Sequence, residues 1–220
     1  MKKLKIFIAC DTTNLTKAKK IINQSKTDKI KIGYKFGLEF MNSKNGRKFI
    51  SSLKNKVIFI DLKLNDTVNT MVSAVKALKD LKINYLTVHI SSGLTALKAV
   101  KKISGSTKII GVTTLTSLDN QDLKLIGYNK SVKSLVSHQA KLAKKAALDA
   151  LVCSPYEVSA VRKIFKKEII TPGIQMGKKN YDQKRSMEVR KVKSDWLVIG
   201  RAITRGNIKK NIQNLSKVLR

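Results

Sequence analysis

Val57-Ile58-Phe59-Ile60-Asp61-Leu62 is a short β-rich run, and the rhythm changes immediately after it. From Thr67 to Leu81 the apolar residues Val68, Met71, Val72, Val75 and Leu78 recur at three- and four-residue spacings, the stripe of an amphipathic helix. A strand followed by a helix is one βα unit, and the unit repeats in both directions. Upstream lie the runs Lys3 to Ala9 and Lys29 to Tyr34. Downstream lie Tyr85 to Ile90, Lys108 to Thr113, Ala150 to Cys153, Glu168 to Thr171 and Trp196 to Gly200. The last helical stretch, Ile208 to Leu219, carries Ile212, Leu215 and Leu219 on one stripe. Eight such units predict an α/β fold, a single (β/α)8 TIM barrel of parallel strands over residues 1–220. Periodicity alone does not separate this barrel from an open doubly wound sheet.

Length and composition are consistent with one domain. The chain has 220 residues, two prolines (Pro155 and Pro172) and no low-complexity segment. Its 46 Lys plus Arg against 14 Asp plus Glu give a net charge of +32, which raises the question of a nucleic-acid or membrane partner. The lysines, however, are dispersed from Lys2 to Lys217 and are not interleaved with aromatics, so neither partner is expected. Such a field favours a small anionic substrate. Cys10 and Cys153 stand far apart in no ligand spacing, as buried small residues in a reducing compartment do, and the expected location is the cytoplasm. The apolar run after Lys2 and Lys3 is ended by Asp11, too early for a signal-peptide core.

Parallel barrels build their sites at the C-terminal ends of the strands. The residues closing each run are mostly polar: Asp11, Lys35, Asp61 with Lys63, His89, Thr113 to Thr116, Ser154, Thr171 with Gly173, and Gly200 with Arg201. The segment Asp61-Leu62-Lys63-Leu64-Asn65-Asp66 is the sharpest of these. On a regular strand positions 61 and 63 face one side about 7 Å apart, so an acid and a base point into the barrel mouth while Leu62 and Leu64 face the helices. A structural ion pair with Asp66 as a helix cap is the alternative from the hexapeptide alone, and Asp11 could likewise cap a helix. Gln175 to Arg185 has little apolar character and four basic residues, the composition of a mobile, phosphate-seeking loop.

Asp61-x-Lys63-x-x-Asp66 resembles the signature of the orotidine 5'-monophosphate decarboxylase family. Further similar segments run in the family's order: Ala9-Cys10-Asp11, Tyr34-Lys35-Phe36-Gly37, Val88-His89, Val112 to Ser117, Val152-Cys153-Ser154, Thr171-Pro172-Gly173-Ile174, Asp182-Gln183 and Gly200-Arg201. The resemblance implies conversion of orotidine 5'-monophosphate to uridine 5'-monophosphate and CO2 in pyrimidine biosynthesis, with neither metal nor organic cofactor. It implies a charged array of Lys35, Asp61, Lys63 and Asp66, with Lys63 as proton donor. Asp11 and Lys35 would contact the ribose, and Thr116 would face the pyrimidine edge. Gln183, on the closing loop, would join Gly200 and Arg201 around the phosphate. Asp66 and Thr70 would reach across a homodimer interface into the neighbouring site. Three positions depart from the usual pattern: Asn65 and Val68 stand where many members have His and Pro, and Gln175 where Arg is common. An alternative on the same scaffold is a Mg2+-dependent sugar-phosphate decarboxylase of the 3-keto-gulonate-6-phosphate type, or an aldolase. Those relatives usually carry Glu where Lys35 stands.

Overall fold

The computed structural model describes residues 4–175 and 187–218. Eight parallel strands close into a barrel, and they pair in chain order: β1 (Lys5–Ala9), β2 (Lys31–Gly37), β3 (Val57–Leu64), β4 (Tyr85–His89), β5 (Lys108–Val112), β6 (Ala150–Val152), β7 (Glu168–Thr171) and β8 (Trp196–Ile199). Closure is made by β1 against β8, where Ile6 aligns with Leu197 and Ile8 with Ile199. The open doubly wound alternative is thereby excluded. A small two-stranded ribbon, Ile174–Gln175 with Met187–Glu188, lies after β7.

Alternation along each strand sorts side chains into two cores. Ile6, Ile8, Ile58, Ile60, Leu86, Val88, Ile109, Leu151, Ile169 and Leu197 point outward. They pack under helices that include Leu15–Gln24, Val68–Ala77, Gly93–Ile103, Val132–Lys145 and Ile208–Val218. Between them Phe7, Phe59, Tyr85, Ile110, Ala150, Ile170 and Trp196 point inward and fill the barrel. Phe7 is the centre of this plug. Its ring stacks on Trp196 at 4.2 Å and meets Phe59 and Tyr85 edge-on at 4.9 and 5.2 Å. Gly33 makes room for it, since a Cβ there would stand 2.7 Å from the Phe7 ring.

Two strands run further toward the mouth than the sequence reading, while most of the others are one or two residues shorter. β2 begins at Lys31 and continues to Gly37, so Lys35 sits within the strand and not beyond its end. β3 continues through Leu64, and its pleat is broken. Phe59 aligns with Tyr85, Ile60 with Leu86, and then Leu64 with Val88. Asp61, Leu62 and Lys63 therefore stand opposite Thr87 alone, a bulge of the kind that re-aims side chains beside functional sites.

The expected helix from Thr67 to Leu81 forms as Val68–Ala77, continued by a 3-10 turn at Lys79–Leu81. Met71, Val75, Leu78 and Leu81 are buried. Among the described residues no helix is long and apolar enough to cross a membrane.

Candidate active site

At the C-terminal mouth of the barrel is a pocket of about 300 Å³. Its floor is apolar, made by Phe59 of the aromatic plug and by Ala9, Val112, Val152 and Val198, the inward residues one layer above it. Its polar wall is an alternating chain of charge. Lys35 Nζ lies 3.1 Å from Asp11 Oδ1 and 3.4 Å from Asp61 Oδ2, and Lys63 Nζ donates to Asp61 Oδ1 at 3.0 Å. Thr116, Pro172, Gly173, Gly200 and Arg201 line the remainder. Among the described residues, three cations thus face two carboxylates around the cavity, a field suited to an anionic ligand.

The protonation states follow from the packing. Burial pushes the Lys35 ammonium toward losing its proton, but Asp61 and Asp11 outweigh it, and its pKa lies above the ordinary 10.5. Asp61 behaves in the same manner with opposite sign. Burial favours its neutral form, yet the charges of Lys35 and Lys63 and hydrogen bonds from Lys63 and Thr87 hold it below 3.8. Both groups are therefore charged at neutral pH. His89 has a lowered pKa, from burial first and the neighbouring Lys63 charge second, and is neutral. Its Nδ1 contacts Ser91 Oγ and accepts from Ser91 N, capping the turn Ile90–Ser92, a local structural role. Cys10 is buried behind Asp11 with its thiol pushed up to about 12, mainly by burial.

Lys63 and Asp61 do face the same side, but not because the strand is regular. Lys63 has φ +50°, one of four non-glycine residues with positive φ among those described. Such a conformation costs a β-carbon residue on the order of 1–2 kcal/mol and persists only where its surroundings over-determine it. The surrounding element is β4. Thr87 Oγ1 accepts from the Lys63 backbone N at 2.8 Å and donates to Asp61 Oδ1 at 3.0 Å. Leu62 and Leu64 pack against the outer core as expected.

The other expected residues divide into three groups. Asp11, Lys35, Thr116, Gly200 and Arg201 join Asp61 and Lys63 around the pocket. Asp11 is not a helix cap, because Asn14 fills that role with its side chain accepting from Lys17 N at 3.0 Å. Asp66 and Thr70 are exposed and not among the residues lining the pocket. Asp66 Oδ1 accepts from Thr67 N at 2.6 Å, and that bond, followed by one from Thr70, keeps its carboxyl low. Within one chain, then, Asp66 is not part of the charged array. Gln183, with Lys178, Lys179 and Arg185, lies outside the described residues. Thr87 and the apolar floor were not singled out from the sequence. The available signal for Thr87 was a hydroxyl at an inward position between Leu86 and Val88.

No group of three or more His, Cys, Asp or Glu that could hold a metal ion occurs among the described residues. At the position where the magnesium-dependent relatives usually place a carboxylate, Lys35 contributes an ammonium to the array.

The orotidine 5'-phosphate decarboxylase of Wolbachia sp. subsp. Brugia malayi (strain TRS) is 40% identical over 220 residues, covering 96% of each chain. That of Coxiella burnetii (strain RSA 493 / Nine Mile phase I) is 37% identical, covering 91% of this chain and 89% of the relative. Among solved structures, orotidine 5'-phosphate decarboxylase from Lactobacillus acidophilus superposes with a TM-score of 0.83 at 28% identity, over 99% of both chains. The enzyme from Methanocaldococcus jannaschii, complexed with inhibitor BMP, shares the fold at a TM-score of 0.79. A family model described as Orotidine 5'-phosphate decarboxylase / HUMPS family matches residues 4–212, nearly the whole barrel, and the chain belongs to that family.

Proposed function

We propose that this chain decarboxylates orotidine 5'-monophosphate to uridine 5'-monophosphate and CO2, in cytoplasmic pyrimidine biosynthesis, without metal or organic cofactor. The observation that carries the reading is the Asp61–Lys63 pair, 3.0 Å apart at the pocket and backed by Lys35. Loss of CO2 from C6 leaves the bonding electron pair on that carbon. With no ordinary electron sink in the pyrimidine, the protein must favour charge where the transition state carries it. Among the described residues, Lys63 is the lysine whose ammonium has a carboxylate on one side and the open pocket on the other. It stabilises the developing carbanion and delivers the proton that replaces CO2 at C6.

Asp61, charged and mostly buried, faces the substrate carboxylate. A like-charge contact at 4 Å is worth ~4 kcal/mol at an effective dielectric of 20, which disfavours the ground state and is relieved as CO2 departs. Asp11 and Lys35 hold the ribose, and Thr116 meets the pyrimidine edge. Gly200 and Arg201 take the phosphate together with Gln183, whose binding energy is spent on closing the site. The family description spans two chemistries, and Lys35 favours the metal-free one.

The deciding assay follows the absorbance of orotidine 5'-monophosphate with purified protein in excess EDTA. Full turnover is the expected result. Inactivity toward this nucleotide, combined with Mg2+-dependent turnover of a sugar phosphate, would overturn the assignment in favour of the alternative chemistry.

The active unit in this reading is a homodimer. Asp66, just before the helix Val68–Ala77, and Thr70, in its first turn, are both exposed on a single chain and reach the partner's Lys63. Mixing nearly inactive Asp66→Ala and Lys63→Ala subunits should restore up to half the wild-type number of sites, because one site per heterodimer then has both residues intact. Heterodimers confirmed by native mass spectrometry but still inactive would place Asp66 in its own chain's chemistry or in none.

A further inference from the structure

We infer that Thr87 is a positioning residue for the decarboxylation, its hydroxyl clamping the backbone and the head group of Lys63 at once. The inference rests on the role proposed above for Lys63, and it begins from the unequal count of residues at the bulge. Between the aligned pairs Ile60–Leu86 and Leu64–Val88, β3 spends three residues and β4 spends one. A regular parallel ladder would give the Lys63 N–H a backbone carbonyl. At the bulge it is given the side chain of Thr87 instead, at 2.8 Å.

The direction of each hydrogen bond is fixed by chemistry. A backbone N–H can only donate, so the Thr87 oxygen accepts from Lys63. A charged carboxylate can only accept, so the single Thr87 hydroxyl proton goes to Asp61 Oδ1, at 3.0 Å. That same oxygen accepts from Lys63 Nζ at 3.0 Å. The result is a closed ring: Lys63 backbone to Thr87, Thr87 to Asp61, Asp61 back to the Lys63 ammonium. Thr87 itself is fully buried, so water does not reach its hydroxyl from the pocket. Removing the hydroxyl frees the positive-φ backbone of Lys63 and the rotation of the Asp61 carboxylate together. Both changes act first on where the Lys63 ammonium sits, while Lys35, assigned to the ribose, keeps its closer carboxylate partner, Asp11, at 3.1 Å. A displacement of about 1 Å at a reacting group costs roughly 100-fold in rate.

The test compares Thr87→Ala with Thr87→Ser, which lack the same methyl and differ only in the hydroxyl. Thr87→Ala is expected to lower kcat roughly 10- to 100-fold while the Kd for uridine 5'-monophosphate stays within about 3-fold, the pattern of lost preorganisation. Thr87→Ser is expected to stay within about 3-fold of wild type in both quantities, since the clamp survives. Equal kcat values for the two variants, whether both low or both normal, would overturn the proposal. Amide hydrogen exchange on the wild-type protein adds a measurement that needs no variant to fold. The Lys63 amide should be protected, and exchange at the rate of an unbonded amide would also overturn the proposal. Wild-type turnover in the same assays separates this outcome from a failure of the decarboxylase assignment itself.

Discussion

The two ends of the barrel present the same ingredients and put them to opposite use. At the N-terminal end Glu168 sits among Lys5, Lys108, Tyr85 and Trp196; at the C-terminal end Asp61 sits among Lys35, Lys63 and Thr87. Glu168 is saturated. Oε1 accepts from Lys5 and Trp196, and Oε2 accepts from Tyr85 and Lys108, at 2.9–3.4 Å. These four donors match the lone-pair capacity of a carboxylate. The ammonium groups of Lys5 and Lys31 also lie over the Trp196 ring, and Lys108 lies over Tyr85. At the mouth, by contrast, the described residues engage only one of Lys63's three ammonium hydrogens, and the array borders a cavity. A cluster of charge is thus a brace when its valences are filled and a site when some are left over beside open space.

The largest effect that would break this comparison is at the mouth. Lys63→Ala should lower kcat by at least ~1000-fold, about 4 kcal/mol of transition-state stabilisation, with uridine 5'-monophosphate binding still measurable. Retention of more than about a tenth of wild-type kcat, a loss below ~1.4 kcal/mol, would mean that the free ammonium is not the proton donor. Its stability should change little, because the side chain is 37% exposed and Asp61 keeps Lys35.

The next effect is in the plug and should appear in stability, not rate. Phe7→Ala removes a fully buried ring that touches Phe59, Tyr85 and Trp196. The expected cost is about 3–5 kcal/mol, which for a chain of this size lowers Tm by roughly 10 °C, with kcat of the folded fraction within about 3-fold of wild type. A normal Tm with a collapsed kcat would reverse the roles given to the two layers.

The smallest effect sharpens the comparison through pH. Burial alone would raise the Glu168 carboxyl, but hydrogen bonds from Lys108 and Tyr85 and the Lys108 charge hold it below the ordinary 4.5. A depressed carboxylate contributes stability that is present above its unfolded value and lost as pH falls through its folded value. The Tm advantage of wild type over Glu168→Gln should therefore be constant at neutral pH and shrink as pH drops below about 4.5. An advantage independent of pH down to 2 would show that the carboxylate's charge does not matter there. Asp61, also depressed, leaves a residual acid slope in the variant.

The legible parts of this molecule were those governed by period. The run from Val57 to Leu62 and the stripe from Thr67 to Leu81 were enough for the repeating βα unit, while closure, which period does not separate from an open sheet, is seen in the pairing of β1 with β8. The rule that parallel barrels react at strand ends brought Asp11, Lys35, Asp61, Lys63, Thr116, Gly200 and Arg201 to one place. What was not legible depends on contacts between strands distant in sequence. The positive φ of Lys63 exists because Thr87 on the next strand supports it, and Thr87 reads in isolation as an ordinary β-branched strand residue. Glu168 reads as the first residue of a run, and nothing local says that Tyr85 and Trp196 will turn their polar atoms toward it. Asp66 marks a different limit, since a role across an interface cannot be expressed in the geometry of one chain.

The pairing of β1 with β8 has a consequence for how the molecule is made. Ile6 leaves the ribosome 191 residues ahead of its partner Leu197. Until then β1 has one neighbour, β2, and an unpaired edge facing solvent, the condition in which a strand recruits the wrong chain. Long-range parallel pairing is slow to form because loop closure precedes any reward from contact. The rate-limiting step of folding should accordingly be the docking of the last βα unit, and a nascent chain arrested before Trp196 should be the species that depends most on chaperones.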